Sequence, residues 1–266
     1  MLSRHSALPA SQPRPRCSIE DVIDKNRALS FGAVAREYHR FRPRTPPALL
    51  DWIVPTDAAS CLDLAAGTGA LTQLLVGRIA SVTAVEPDPG MRAVLSAAVP
   101  QATVLSGTAE AIPLPDGCVD AVFVSSAWHW FDLELAVPEI ARVLRSGGRL
   151  AVIGNRMDLR VDWVRALYQT ESREPRDRRQ LPPGSSFTDP ESTELTWTQQ
   201  VSVPDLIGLL GTYSQVIVSS AAEKSQLHDH ALSVLADHNE TRDRNVIEVP
   251  MRSVAWRATR CSATRI

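Results

Sequence analysis

Residues 61–75, CLDLAAGTGALTQLL, and residues 81–91, SVTAVEPDPGM, decide the fold. The first opens with a short apolar run, Cys61 to Leu64, that carries one acid, Asp63, next to its end. Two glycines follow, Gly67 and Gly69, and then a helical apolar spacing from Ala70 to Val76. The second is another apolar strand, Ser81 to Val85, that stops at Glu86-Pro87-Asp88. A strand, a glycine turn, a helix and a strand form a βαβ unit, whose two strands must be parallel because the helix carries the chain back across the sheet.

The same beat continues outward. Met91 to Ala98 reads as a helix, Ala102 to Leu105 as a strand, Val119 to Val124 as a fourth strand, and Leu135 to Leu144 as a helix. Arg149 to Ile153 is a fifth strand after Ser146-Gly147-Gly148. This alternation predicts an α/β fold with helices on both faces of a parallel sheet. Upstream, Phe31 to Ile53 has helical spacing interrupted by Arg42-Pro43-Arg44-Thr45-Pro46-Pro47, hence two helices and a turn. Residues 1–27 begin rich in Ser, Pro and Arg without apolar periodicity and read as a disordered leader. Downstream, Asp162 to Glu171 reads as a helix and Arg173 to Ser192 as a loop. Leu195 to Val203 reads as a strand, Asp205 to Thr212 and Ala221 to Leu235 as helices, and Val246 to Trp256 as a last strand.

The chemistry is concentrated at the strand ends. Glycines at 67 and 69 let the backbone turn tightly and approach a ligand that a side chain would block. Glu86 follows about twenty residues later at the next strand tip, where an acid can accept hydrogen bonds from both hydroxyls of a ribose. An adenosine-containing ligand follows. Asp63 argues about its charge: a dinucleotide pyrophosphate beside this carboxylate would be repelled, and the third glycine of the dinucleotide pattern is replaced by Thr72. S-adenosylmethionine (SAM) carries an ammonium and a sulfonium, for which a carboxylate is an asset.

LDLAAGTGALT, AVEPDPGMRAVL, SGTAEAIPLPDGCVDAVFVSSAWHWFD and ARVLRSGGRLAVIGNRMD resemble, in order and spacing, the successive motifs of class I SAM-dependent methyltransferases of the small-molecule, type 11 kind. FGAVAREYHRFRP is similar to that family's lid helix. The resemblance spans about residues 31–158. It implies a Rossmann-like seven-stranded, mostly parallel sheet of order 3-2-1-4-5-7-6 under an N-terminal helical lid. It implies a single domain over 28–266: lid helices 28–57, a SAM-binding core 58–158, and the C-terminal helices and last two strands 159–266. Carried over by position, it implies that Asp63, Ala65, Gly67 and Gly69 line the methionine end and that Glu86 holds the ribose. Pro87 or Asp88 would flank the adenine. The loop Gly107-Thr108-Ala109-Glu110 would meet the ring, Ser125 and Ser126 would lie beneath the sulfonium, and Tyr38 would close over the methionine moiety. Two positions depart from the pattern: Ala65 replaces the first glycine of the loop, and Ala70 a basic or polar residue.

For the acceptor, Trp128-His129-Trp130-Phe131 follows the fourth strand. Trp128, His129 and Trp130 are candidate substrate ligands, and His129 is a candidate general base; the alternative is that these rings simply pack the next helix. Asp132 is placed to cap that helix. Arg36, Arg40, Arg42 and Arg44 on the lid either attract an anionic acceptor or form a solvated face. His228, His230 and His238 read as surface histidines. The four cysteines, Cys17, Cys61, Cys118 and Cys261, form no metal-ligand pattern, so no metal is expected. With 28 basic and 30 acidic residues and a net charge of -2, nucleic acid is not an expected partner. No run approaches membrane-spanning length. The expectation is therefore a cytoplasmic monomer or homodimer that uses SAM to methylate a carboxylate or hydroxyl of a small molecule. The alternatives are a SAM-binding protein without catalysis and an NAD-type oxidoreductase.

Overall fold

The computed structural model describes residues 31–169 and 181–262; the leader assigned to residues 1–27 lies outside them. Seven strands form one sheet in the order β3-β2-β1-β4-β5-β7-β6. They are β1 (Ser60–Leu64), β2 (Ser81–Val85), β3 (Thr103–Leu105), β4 (Val119–Ser125), β5 (Leu144–Met157), β6 (Glu191–Ser202) and β7 (Val246–Thr259). The first five pair in parallel, and β7 lies antiparallel between β5 and β6. Nine α-helices occur among the described residues: α1 (Ala35–Phe41), α2 (Pro47–Ile53), α3 (Ala70–Val76), α4 (Pro89–Ala98), α5 (Leu133–Val143), α6 (Asp162–Leu167), α7 (Val203–Gly211), α8 (Ser214–Ile217) and α9 (Ala221–Asp237).

Strand parity sorts the apolar side chains onto two faces. Leu62, Leu64, Val122, Val124, Leu150 and Val152 point to the face covered by α5, whose Ala136, Val137 and Ile140 are buried against them. Cys61, Ala121, Phe123, Ala151 and Ile153 point to the other, where α2 and α3 bring Leu49, Leu50, Ile53, Leu71 and Leu75. Asp63 shares the parity of Cys61 and so faces α3. A third cluster joins α6, α7 and α9 to the hairpin of β6 and β7 through Trp163, Leu206, Leu209, Leu235 and Met251.

Several boundaries differ from the sequence reading. β5 begins at Leu144, not Arg149, because Ser146-Gly147-Gly148 forms a bulge inside the strand: pairing with β4 jumps from Val119↔Leu144 to Ala121↔Arg149, and Gly147 takes a φ of 75°. β6 begins at Glu191, inside the stretch read as a loop, and its exposed face of Glu, Thr and Gln explains the weak apolar signal. The helix after Asp162 ends at Leu167. Residues 170–180 lie outside the described set.

Beyond the packing of α2, the lid turn is hydrogen-bonded to the sheet and α1 packs on the C-terminal helices. The Trp197 indole N–H donates to the Ser253 hydroxyl, which donates to Asn155 Oδ1, and the Asn155 amide donates to Thr45 in the lid turn at 3.1 Å. Phe41 of α1 packs onto α7 at Gly208, where an added Cβ would lie 2.5 Å from the phenyl ring.

Candidate active site

The connections leave the sheet in opposite directions at β1 and β4, which opens a crevice at the carboxyl ends of those strands. The loop after β1 forms one wall. Ala65, Gly67 and Gly69 all have positive φ, 55°, 59° and 85°. The loop is pinned by Ala66 N–H to the Val85 carbonyl (3.1 Å) and closed by Gly69 N–H to the Ala66 carbonyl (3.0 Å). The two glycines serve different needs. A Cβ at Gly69 would lie 2.7 Å from Leu95 of α4, whereas at Gly67 nothing stands within 4 Å. Gly69 permits packing of helix on loop; Gly67 leaves space beside the backbone. Ala65, where the family pattern has a glycine, carries strain of roughly 1–2 kcal/mol in this left-handed conformation that a glycine would not.

Asp63 is fully buried. Its Oδ2 accepts a 2.6 Å hydrogen bond from the Thr72 hydroxyl, and its Oδ1 has no partner. Thr72, noticed in the sequence only as a missing glycine, is thus the residue that orients the acid. Burial is the main reason that the Asp63 carboxyl is pushed up to about 7; the bond from Thr72 opposes this and the nearby Glu86 charge adds to it. Thr68, in the same loop, also buries an unpartnered hydroxyl. Glu86 stands at the adjoining strand tip, with Oε2 accepting from Gly67 N–H and Oε1 from Asp88 N–H, each at 2.9 Å. Its pKa is raised by burial, against those two bonds. The two acids therefore flank one loop, as their spacing predicts, but Asp63 does so from within the protein.

The remaining candidates divide. Pro87 lies beside Glu86, and its carbonyl accepts from Arg92. Asp88 spends its carboxylate capping α4 through Met91 N–H. Ala109 is buried, while Thr108 is exposed and its carbonyl accepts from Ala111 N–H. Glu110 accepts from Asp132 N–H, a bond between loops. Asp132 caps α5, as expected. Ser125 ends β4, and Ser126 follows with a φ of 57°.

The aromatic segment forms a single 3-10 turn, Trp128–Trp130. Trp128 is buried against Trp256, edge to face at 5.0 Å, and against Phe131 at 5.8 Å, with its indole N–H unpartnered. His129 is exposed, with its ring 4.5 Å from that of the half-buried Trp130. Trp128 is thus a core residue that also carries an unspent donor.

Tyr38 lies on α1, its ring under the Arg42 guanidinium. The lid reaches the strand tips through Gly32, where an added Cβ would fall 2.4 Å from the Asp88 carboxylate. A cleft of about 650 Å³ opens beside this contact, between Gly32–Glu37 and Gly90–Ala98. None of the strand-tip acids lines it. Among the described residues no cluster of His, Cys, Asp and Glu could hold a metal, and no helix is long and apolar enough to cross a membrane.

The residues present fit SAM on three observations: a buried carboxylate oxygen without a partner, a backbone turn open on one side at Gly67, and a second acid whose oxygens each retain a free acceptor site.

Known proteins agree with this geometry. The methyltransferase-domain family model matches residues 62–152. An uncharacterized methyltransferase of Mycobacterium tuberculosis is 43% identical over 246 residues, which cover 91% of this chain and 98% of the relative. A malonyl-[acyl-carrier protein] O-methyltransferase of Methylococcus capsulatus is 42% identical over 154 residues, 53% of this chain and 56% of that protein. A solved structure from Anaeromyxobacter dehalogenans, assigned to the type II methyltransferases, matches with a TM-score of 0.62 at 25% identity, covering 83% of this chain and 98% of that one. Strand order, loop geometry and a full-length relative agree: this chain belongs to the class I SAM-dependent methyltransferases.

Proposed function

We propose that this enzyme transfers the methyl group of SAM to an oxygen, carboxylate or hydroxyl, of a small-molecule acceptor in the cytoplasm, acting as a monomer or homodimer. The observation that carries the reading is the unpartnered, fully buried oxygen of Asp63 beside Glu86 at adjoining strand tips. In its ionised form this carboxylate favours a neighbouring cation and disfavours a phosphate. When bound, SAM supplies an electrophilic methyl carbon on a positively charged sulfur.

The protein's share is placement. Asp63 attracts the ammonium of the methionine end, and Ala65, Gly67 and Gly69 bring backbone close to it. Glu86 accepts from the ribose hydroxyls with the lone pairs that Gly67 and Asp88 leave over. Pro87, Asp88 and the Thr108-Ala109-Glu110 backbone flank the adenine. Ser125 and Tyr38 border the methionine end. On the acceptor side the unspent Trp128 indole N–H can donate to an acceptor oxygen, with His129 and Trp130 beside it. For a carboxylate no base is required; for a hydroxyl, His129 takes the proton as the oxygen bonds to the methyl carbon and the sulfur keeps the broken bond's electron pair. The O-methyltransferase among the relatives supports oxygen as the receiving atom.

The test is equilibrium binding of SAM against NAD, followed by a mass-spectrometric search for +14 products in a metabolite extract. Tighter binding of NAD would overturn the reading, and SAM binding without any methylated product would leave a binding protein. Where the acceptor is a hydroxyl, replacing His129 by alanine is expected to lower single-turnover rate about a hundredfold while SAM affinity holds; an unchanged rate would remove the base.

A further inference from the structure

The four lid arginines are not equivalent. Arg36 and Arg44 are exposed, and Arg40, also exposed, pairs with Asp205 at 3.0 Å. Arg42 has no carboxylate partner among the described residues. Its guanidinium lies over the Tyr38 ring at 4.6 Å and over the Tyr213 ring at 4.7 Å. One terminal nitrogen donates to the Thr212 carbonyl at 3.0 Å, and its buried Nε–H donates to nothing. Beside it the Tyr168 hydroxyl donates to the Tyr213 hydroxyl at 2.6 Å, which leaves the Tyr213 proton for another acceptor. Arg156, near the end of β5, acts with Arg42 on the Tyr168 phenol, opposing the rise that burial imposes.

Two cations and an unspent hydroxyl thus meet where lid and C-terminal helices join, and no acid among the described residues pairs with Arg42. Position ties this cluster to the crevice. Ile153 pairs with Ser125 at the end of β4, and Arg156 lies three residues further along β5, so it stands about 10 Å beyond the strand tips on the crevice side.

We propose that Arg42, with the Tyr213 hydroxyl, binds a carboxylate of the acceptor, a group separate from the atom that receives the methyl. The inference rests on the methyl-transfer reading and adds a substrate class to it: a small acid with a second nucleophilic oxygen. The division of roles follows from charge. A guanidinium that holds an oxygen by charge-assisted hydrogen bonds draws off the electron density a nucleophile needs, so the group at Arg42 is an anchor.

The test uses the full chain saturated with S-adenosylhomocysteine and titrated calorimetrically with succinate, glutarate and adipate, their dimethyl esters, and methyl phosphate. At least one acid is expected to bind about tenfold or more tightly than its ester. Arg42→Gln should abolish that preference and Arg42→Lys should keep part of it. Tyr213→Phe, which retains the ring, should weaken acid binding about three- to tenfold without altering ester binding, and it serves if Arg42→Gln does not fold. The proposal falls if no acid outbinds its ester, if Arg42→Gln keeps the preference, or if methyl phosphate outbinds every acid. Failure of S-adenosylhomocysteine to bind the unaltered chain would instead overturn the strand-tip site, so the two failures read differently.

Discussion

The strand-tip site and the junction of the lid with the rest of the fold are built by different means. Around residues 61–88 the backbone dominates: Glu86 accepts from Gly67 and Asp88, Asp63 from Thr72, and every partner lies within twenty positions in the chain. The lid junction is assembled from side chains far apart in sequence. Arg42 meets Thr212 and Tyr213, and Thr45 meets Asn155, across separations of more than a hundred residues. A local site made of backbone tolerates little variation, while a long-range junction of side chains can change its occupant by substitution.

The largest expected effect tests whether the loop is a packing element or a ligand element. Gly69→Ala adds a methyl 2.7 Å from Leu95 at a φ of 85°. It should cost about 2–4 kcal/mol in denaturant melts. Gly67→Ala, with open space at its Cβ, should cost only about 1 kcal/mol yet weaken SAM more than Gly69→Ala does. Equal effects of the two variants on stability and on binding would erase the distinction.

Next comes Asp63. In the folded chain its carboxyl is raised above the ordinary value of 3.8 to about 7. The folded state therefore binds more protons than the unfolded one across that window, and this group's contribution to stability falls as pH rises from about 4 to about 7 and is level above. Glu86, raised in the same direction, adds to the slope. Melting curves of Asp63→Asn should lack the Asp63 part of that slope. Because SAM is cationic, its affinity for the unaltered protein should climb through about pH 7, and Asp63→Asn should bind about tenfold to a hundredfold more weakly. Calorimetry that finds the affinity flat between pH 6 and 8 would argue against a charge contact.

Ala65→Gly is expected to move the other way and stabilise by roughly 1 kcal/mol, since it relieves a φ of 55°; a lower melting temperature would show that the alanine methyl packs usefully. The smallest effect belongs to the lid. Arg40 and Asp205 form a pair exposed at 71% and 39% of their side chains, so Arg40→Ala should cost less than about 0.5 kcal/mol. A double-mutant cycle with Asp205→Ala giving more than 1 kcal/mol would mean that the lid junction is held by charge rather than by Phe41 against Gly208.

The positions of Asp63 and Glu86 at adjoining tips and the cap at Asp132 were legible in the chain, because each depends on residues close in sequence and on periodicity or turn chemistry; the order of strands, which rests on pairings between distant segments, was implied only by the family resemblance. The blurred boundaries have the same root. β6 has a polar face with no partner sheet, and β5 carries a bulge of Ser and two glycines that reads as a turn. The meaning of particular side chains was less accessible. Trp128, His129 and Trp130 are adjacent in sequence, yet one is core, one exposed and one between, since a 3-10 turn points successive residues to different sides.

By itself, the sequence determined the alternating strands and helices, the parallel sense of the first five strands and the two acids of the cofactor crevice, since local apolar periodicity and glycine placement act within a few residues. Only the tertiary structure decided which carboxylate would be buried and short of a partner, which of four lid arginines would bury an Nε–H without a partner, and that Tyr38, Arg42, Tyr168 and Tyr213 share one place. Those outcomes depend on desolvation and on contacts between distant segments, neither of which exists until the chain has closed on itself.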